Sequence, residues 1–142
     1  MRTEPLRVLF LCTHNAARSQ MAEALLRHLG GDRFVVSSAG TAPTRVHPLA
    51  VAALREVGLD IAGARSKHVE ELRDQPFDYV ITVCDRAAET CPTLPGGGVR
   101  LHWGCEDPSA VEGDEAERLA AFRRVRDELA ERILRFVHGV ES

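Results

Sequence analysis

Cys12 and Arg18 close the two ends of Cys12-Thr13-His14-Asn15-Ala16-Ala17-Arg18, a thiol and a guanidinium with five residues between them, and Ser19 follows. Spacing alone says little. The chain holds four cysteines and 18 basic residues, all arginine except Lys67, so chance supplies about half of one such match in 142 residues. Position gives the pair its force. The octet follows the apolar run Leu6-Arg7-Val8-Leu9-Phe10-Leu11 and precedes helical spacing at Met21, Leu25 and Leu29, which makes it a strand-to-helix loop. Such a loop aims successive backbone N–H groups at one point, a nest for an oxyanion at a helix N-terminus. The same amides and the helix dipole favour a thiolate, the form of Cys12 that attacks. Arg18 adds a fixed fork able to hold two oxygens of a tetrahedral oxyanion. Ser19 is placed to donate its hydroxyl to the Cys12 sulfur, and Asn15 tolerates the left-handed backbone that a nest needs. Thr13, His14, Asn15, Ala16, Ala17, Arg18 and Ser19 are thus the candidate binding residues. The competing reading is a core cysteine that closes a strand beside a solvated arginine.

The elements that must position this loop alternate along the chain. After the first strand and a helix closed by Gly30-Gly31, Phe34-Val35-Val36 reads as a second strand ended by Ser38-Ala39-Gly40. Pro48 opens a helix with Ala50, Leu54 and Val57 on one face, stopped by Gly58. Tyr79 to Val83 is a third strand and Val99-Arg100-Leu101 a fourth. Leu119, Phe122, Val125, Leu129, Ile133 and Phe136 then form the stripe of a last helix whose Arg and Glu face reads as solvated. Between strands three and four, Cys84 to Gly98 contains Pro92, Pro95 and three consecutive glycines, the composition of an irregular, mobile segment. Strand–helix alternation predicts an α/β fold, a single open parallel sheet with helices on both faces in one domain over 1–142. Ligands of such sheets sit at the carboxyl ends of the strands. Cys12, Cys84 and the loop after Leu101 all fall there.

Composition bounds the function. Hydrophobic residues at 44% and charged residues at 27% exclude disorder and fibrous repeats. A net charge of −3 gives no reason to expect nucleic acid or an anionic membrane as partner. The apolar run Val8 to Cys12 is far short of a spanning helix, and the expectation is a cytoplasmic protein. In that reducing compartment Cys12, Cys84, Cys91 and Cys105 are not a structural disulfide framework, and no C-x-x-C pair signals a zinc ribbon or a dithiol motif. His47, His68, His102 and His138 are scattered and read as surface or packing residues, not metal ligands.

Val8 to Ala24, with Cys12 to Ser19 at its centre, resembles the signature of the low-molecular-weight protein tyrosine phosphatase superfamily, and within it the thioredoxin-coupled arsenate reductases. The resemblance continues through Ser38-Ala39-Gly40, Thr82-Val83-Cys84-Asp85, Cys91-Pro92, His102-Trp103-Gly104 and Asp107-Pro108. It implies a four-stranded parallel sheet with the loop at its centre. Both branches use Cys12, Arg18 and Asp107, and differ in the fate of the Cys12 adduct. A phosphatase hydrolyses it with water, whereas a reductase removes it by sulfur attack, which needs a second thiol. The two resolving cysteines of such reductases match Cys84 and Cys91 in context and spacing. The resemblance therefore implies that Cys12 attacks arsenate and Asp107 protonates the departing oxygen. Cys84 then attacks Cys12 and releases arsenite, and Cys91 attacks Cys84, leaving a disulfide for thioredoxin to reduce. Asp107 also fits a helix N-cap, and the two roles are compatible.

The phosphatase branch carries a second loop cysteine where Ala17 stands and aromatic residues after Asp-Pro where Ser109-Ala110 stand. The alternatives are a tyrosine or arginine phosphatase using Cys12, Arg18 and Asp107, and a non-enzymatic oxyanion or redox sensor without turnover. Some relatives hold potassium beside the loop with an Asn, a Glu, a Ser and a downstream Asp. Asn15, Glu23 and Ser38 match, but Lys67 stands where the acid is expected, so its ammonium takes the ion's place and no metal is expected. No bound cofactor is expected either; thioredoxin is the external reductant, arsenate or phosphate the ligand, and the chain a monomer. Cys105, two residues before Asp107, is either a bystander or an off-pathway disulfide partner.

Overall fold

The computed structural model describes residues 4–85 and 98–141. β1 (Leu6–Cys12) leads into α1 (Arg18–Gly30) and β2 (Phe34–Gly40) into α2 (Pro48–Arg55); β3 (Tyr79–Thr82), β4 (Val99–His102) and α3 (Glu115–Glu141) follow. The strands form one parallel sheet, as the alternation predicts, with the four strands that the resemblance implies, in the order β2-β1-β3-β4. Its register sets Cys12 level with Gly40, Leu11 with Thr82, and Thr82 with His102. Cys12, Cys84 and the chain after β4 therefore share one end of the sheet.

Side chains alternate across the pleat of β1. Val8, Phe10 and Cys12 enter the large core beneath α1, α2 and α3, whereas Leu9 and Leu11 join a smaller core with Ala39, Val80 and the short 3-10 turn Val69–Leu72. Helical cover thus lies on both faces, very unequally among the described residues. Covered twice, β1 buries five residues in succession, Val8 to Cys12, which is why its sequence is continuously apolar.

β2 and α2 depart from the pattern. β2 does not stop at Ser38 but pairs on through Ser38, Ala39 and Gly40 with Phe10, Leu11 and Cys12. Only glycine fits at its end, because a Cβ on Gly40 would run into the carbonyl oxygens of Thr13 and Cys12. α2 ends at Arg55, so Val57 lies beyond the buried face and is 47% exposed in a turn closed by Gly58 at φ 85°. On α3, Phe122, Val125, Leu129 and Ile133 are buried as their spacing predicts, and Leu119 and Phe136 are half-buried. The Phe136 ring gathers Phe34, Tyr79 and Trp103 at centroid distances of 5.9, 4.9 and 5.8 Å.

The charged face of α3 is not uniformly solvated. Arg126 is only 9% exposed and donates through Nη1 to the Ala53 carbonyl at 2.8 Å and to Glu56 Oε1 at 2.9 Å. Ala53 sits in the last turn of α2, where carbonyls lack helical partners, so a side chain from another helix satisfies one of them. Glu56 also accepts from Arg123 Nε at 2.8 Å and Nη2 at 2.6 Å. The hydrogen bond from Arg123 leads the shift that holds the Glu56 carboxyl at about 2. A carboxyl depressed in the fold adds stability above its unfolded value near 4.5 and loses it as pH falls toward the folded value. Glu56→Gln is therefore expected to be less stable than wild type at neutral pH, with the gap closing on acidification toward about pH 3. Urea unfolding at both pH values checks this; an unchanged gap contradicts it.

Candidate active site

The loop after β1 is held from outside by its carbonyls. Thr13 O accepts from Ala42 N at 2.9 Å, His14 O from Thr44 N at 3.2 Å, and Ala16 O from His47 N at 2.9 Å. Asn15 O takes the Ser66 hydroxyl at 2.7 Å and Gln20 Nε2 at 3.2 Å. In a trans peptide the C=O of one residue and the N–H of the next point in opposite directions, and no cis peptide occurs among the described residues. Pinning those four carbonyls outward turns the amides of His14, Asn15, Ala16 and Ala17 the other way, into the loop. Ala17 offers α1 no side-chain cap, and its first turn carries no acid, so the positive helix end adds to the same field.

Asn15 is the node of this arrangement. It is fully buried at φ 51°, the only non-glycine residue at positive φ among those described. Its Nδ2 donates to Ser19 Oγ at 2.8 Å and Ser38 Oγ at 3.0 Å, and its Oδ1 accepts from Gln20 Nε2 at 3.0 Å and Lys67 N at 2.8 Å. Ser19, oriented by Asn15, places its hydroxyl 2.8 Å from Cys12 Sγ. Cys12 is a free, buried thiol.

Arg18, at the end of the loop, and Asp107, in the segment after β4, approach each other. Arg18 is buried, donates through Nη1 to the Cys105 carbonyl at 3.2 Å, and sets Nη2 3.9 Å from Asp107 Oδ2. Asp107 is one-third exposed, and its Oδ1 caps the turn Pro108–Ala110 by accepting from Ser109 N at 3.0 Å and Ser109 Oγ at 2.6 Å. Its cap role leaves Oδ2 on the side of Arg18, so the two roles coexist.

The other sulfurs divide. Cys84 is buried one residue past Val83, whose N–H donates to Leu11 O at 2.9 Å in the strand beside Cys12. It is disulfide-bonded, while Cys12 and Cys105 are free. Cys91 lies outside the described residues. Burial, followed by the Glu128 charge, pushes the Cys105 thiol up to about 11. At neutral pH it stays a thiol and contributes its backbone carbonyl to Arg18, the bystander reading.

The set resembling a potassium site is filled by donors. Glu23 Oε1 accepts from the Ser38 hydroxyl at 2.6 Å and lies 3.9 Å from Lys67 Nζ, and Oε2 takes Arg27 Nη2 at 2.7 Å. With Asn15 Oδ1 also doubly occupied, these residues do not fit a potassium ion. Among the described residues no group of three or more His, Cys, Asp or Glu is arranged to hold a metal, and no helix is long and apolar enough to cross a membrane.

Comparison with known proteins agrees with this geometry. The profile of the low molecular weight phosphotyrosine protein phosphatase family matches residues 7–142. The chain belongs to that family. An arsenate reductase of Halalkalibacterium halodurans is 44% identical over 129 residues, covering 91% of this chain and 93% of that one. A solved arsenate reductase in a phosphate-binding state superposes with a TM-score of 0.80 at 34% identity, over 94% of this chain and 98% of its own. A thioredoxin-dependent arsenate reductase of Corynebacterium glutamicum gives a TM-score of 0.64 at 34% identity, over 94% of this chain and 64% of that one.

Sequence reasoning missed Gln20, which donates through Nε2 to Asn15 O, Asn15 Oδ1 and Arg65 O, and Ser66: Gln20 tethers Asn15 to the distant Arg65, Ser66 reaches Asn15 O from 51 positions away, and neither bond leaves a local signal. His47 and His68 are not idle surface residues either: each caps a helical turn through Nδ1. The signal for His47 was its place before Pro48, at a helix start. Removing the Asn15 amide tests the node. Asn15→Gly keeps the positive φ and deletes four side-chain hydrogen bonds, so a loss of about 2–4 kcal/mol in denaturant unfolding is expected. Asn15→Ala adds about 1 kcal/mol of left-handed strain. Asn15→Gly within about 1 kcal/mol of wild type contradicts the assignment.

Proposed function

We propose that this protein reduces arsenate to arsenite, with Cys12 as nucleophile and a disulfide relay through Cys84 and Cys91 that thioredoxin resets. The observation that carries the reading is the free Cys12 thiol beside the Ser19 hydroxyl in an inward-facing amide loop, with Cys84 oxidised at the end of the neighbouring strand. Similarity to arsenate reductases along nearly the whole chain supports the substrate, and the thioredoxin-dependent relative supports the reductant.

Arsenate lies in the loop Cys12 to Ser19, its charge met by the inward amides and the Arg18 fork. The Cys12 thiolate forms a sulfur–arsenic bond as one arsenic-bound hydroxyl leaves as water, taking its second proton from Asp107 Oδ2. Cys84 thiolate then attacks Cys12 Sγ. A sulfur–sulfur bond forms, the electron pair of the sulfur–arsenic bond stays on arsenic, and arsenic(V) leaves as arsenite(III). Attack by Cys91 on Cys84 frees Cys12 and passes the disulfide outward. A free Cys12 with an oxidised Cys84 is the distribution this last step leaves.

A phosphotyrosine phosphatase reading finds little support in the side chains. The single tyrosine and the single tryptophan, Tyr79 and Trp103, both pack on Phe136. Phosphate shares the shape and charge of arsenate, so weak aryl phosphate hydrolysis accompanies reduction in this reading. The reading also takes the protein as a cytoplasmic monomer acting in arsenic detoxification, with no bound cofactor, no metal and no nucleic acid or membrane partner.

Arsenate-dependent NADPH consumption with thioredoxin and thioredoxin reductase tests it. Sustained turnover in wild type is expected, falling about a hundredfold or more in each of Cys12→Ser, Cys84→Ser and Cys91→Ser. No turnover by wild type, with aryl phosphate hydrolysis that needs Cys12 alone, would overturn the reductase in favour of the phosphatase.

A further inference from the structure

His47 touches three parts of the fold. Its backbone N–H holds the Ala16 carbonyl of the oxyanion loop at 2.9 Å, its Nδ1 accepts from the Leu49 N–H at 3.0 Å, and its ring lies against Phe122 of α3 with centroids 4.7 Å apart. Accepting at Nδ1 requires an unprotonated nitrogen, so the ring is neutral with its proton on Nε2. Protonation makes Nδ1 a donor that faces a donor. The α2 cap is lost, and the residue that anchors Ala16 loses its fixed orientation. The usual caps Ser, Thr, Asp and Asn keep their acceptor at mildly acidic pH, whereas a histidine cap loses its own there.

We infer that neutral His47 is a positioning residue that ties the rear of the oxyanion loop to α2 and α3, and that protonation at mildly acidic pH releases this tie. The charged groups that reach the ring are Arg118 of α3 and Asp107 of the segment before Pro108–Ala110; the first turn of α2 carries no acid. Burial first, then Arg118, disfavour the imidazolium, and Asp107 opposes them, with a net fall below the ordinary value of 6.5. The unfolded chain therefore takes up the proton first. Stability contributed by the neutral ring is complete above about pH 6.5 and is lost as pH falls below it. The effect on the loop rests on the oxyanion reading given above; the cap does not.

His47→Asn keeps a cap acceptor that does not titrate, and His47→Leu fills the space without one. Inorganic sulfate is the probe, because its charge is constant from about pH 5 to 8. Thermal midpoint and sulfate affinity are measured across that range for wild type and both variants. Below pH 6.5 wild type is expected to fall behind His47→Asn in both, with sulfate binding weakened about fivefold more, the factor that loss of one cap implies. His47→Leu is expected to be low throughout. Parallel curves for wild type and His47→Asn would overturn the inference. Diverging midpoints with parallel sulfate affinities would also overturn it, because the cap would then not reach the loop. Tighter sulfate binding by wild type than by His47→Asn at low pH would make His47 a simple countercharge and overturn it as well. No sulfate binding by any form at any pH would defeat the oxyanion reading itself, and the loop half of the inference with it.

Discussion

A single buried amide carries the constraint on which the rest depends. Asn15 sits at φ 51° with its side chain bonded to Ser19, Ser38, Gln20 and the backbone of Lys67. Those partners come from α1, from β2 and from the segment before Val69–Leu72, so one residue fixes the loop against three elements. A left-handed residue in the middle of the loop lets successive carbonyls reach donors outside it, and their amides then converge. The Ser19 hydroxyl, which meets the Cys12 sulfur, is itself aimed by Asn15. An anion site built this way needs no large cavity. It needs a rigid reversal of the chain, and buried hydrogen bonds supply the rigidity.

Gly40 shows how closely sheet and loop are fitted. β2 extends beyond the end that its apolar residues suggest because Ser38, Ala39 and Gly40 are small enough to lie under the loop, and Gly40 admits no Cβ there. Ser38 then performs two tasks, pairing in the sheet through its backbone and bridging Asn15 to Glu23 through its hydroxyl. Lys67 lies beside the same carboxylate, a fixed positive charge where a relative with an acid at that position would present a negative one. The electrostatic demand of Glu23 is met within the chain.

The strands and the loop were legible because they rest on local signals: a continuous apolar run for a strand covered twice, helical spacing after it, and a thiol and a guanidinium at the turn between. The count of strands and their order were not, because pairing between distant segments leaves no local trace, and the family resemblance supplied them. Arg126 was read as solvated because helical periodicity reports which face is charged but not whether the C-terminal carbonyls of another helix lie opposite. His47 was read as a surface or packing residue for the same reason, since its partner Ala16 is far away in sequence. Val57 was placed on α2 by spacing, although the helix ends before it. Cys12 meets the Ser19 hydroxyl, and Arg18 faces Asp107. Cys84 is found at the predicted strand end, and Cys91 falls outside the described residues.

The electron path from Cys12 to Cys84 is the central claim, and a single turnover tests it most directly. Cys91→Ser, fully reduced and mixed with one equivalent of arsenate without thioredoxin, would be quenched by acid and mapped by peptide mass spectrometry. The account predicts about one arsenite released per chain and a trapped Cys12–Cys84 disulfide, because the third thiol that would free Cys12 is missing. Arsenite release with both Cys12 and Cys84 recovered as thiols, or no release while Cys12 is intact, would contradict it.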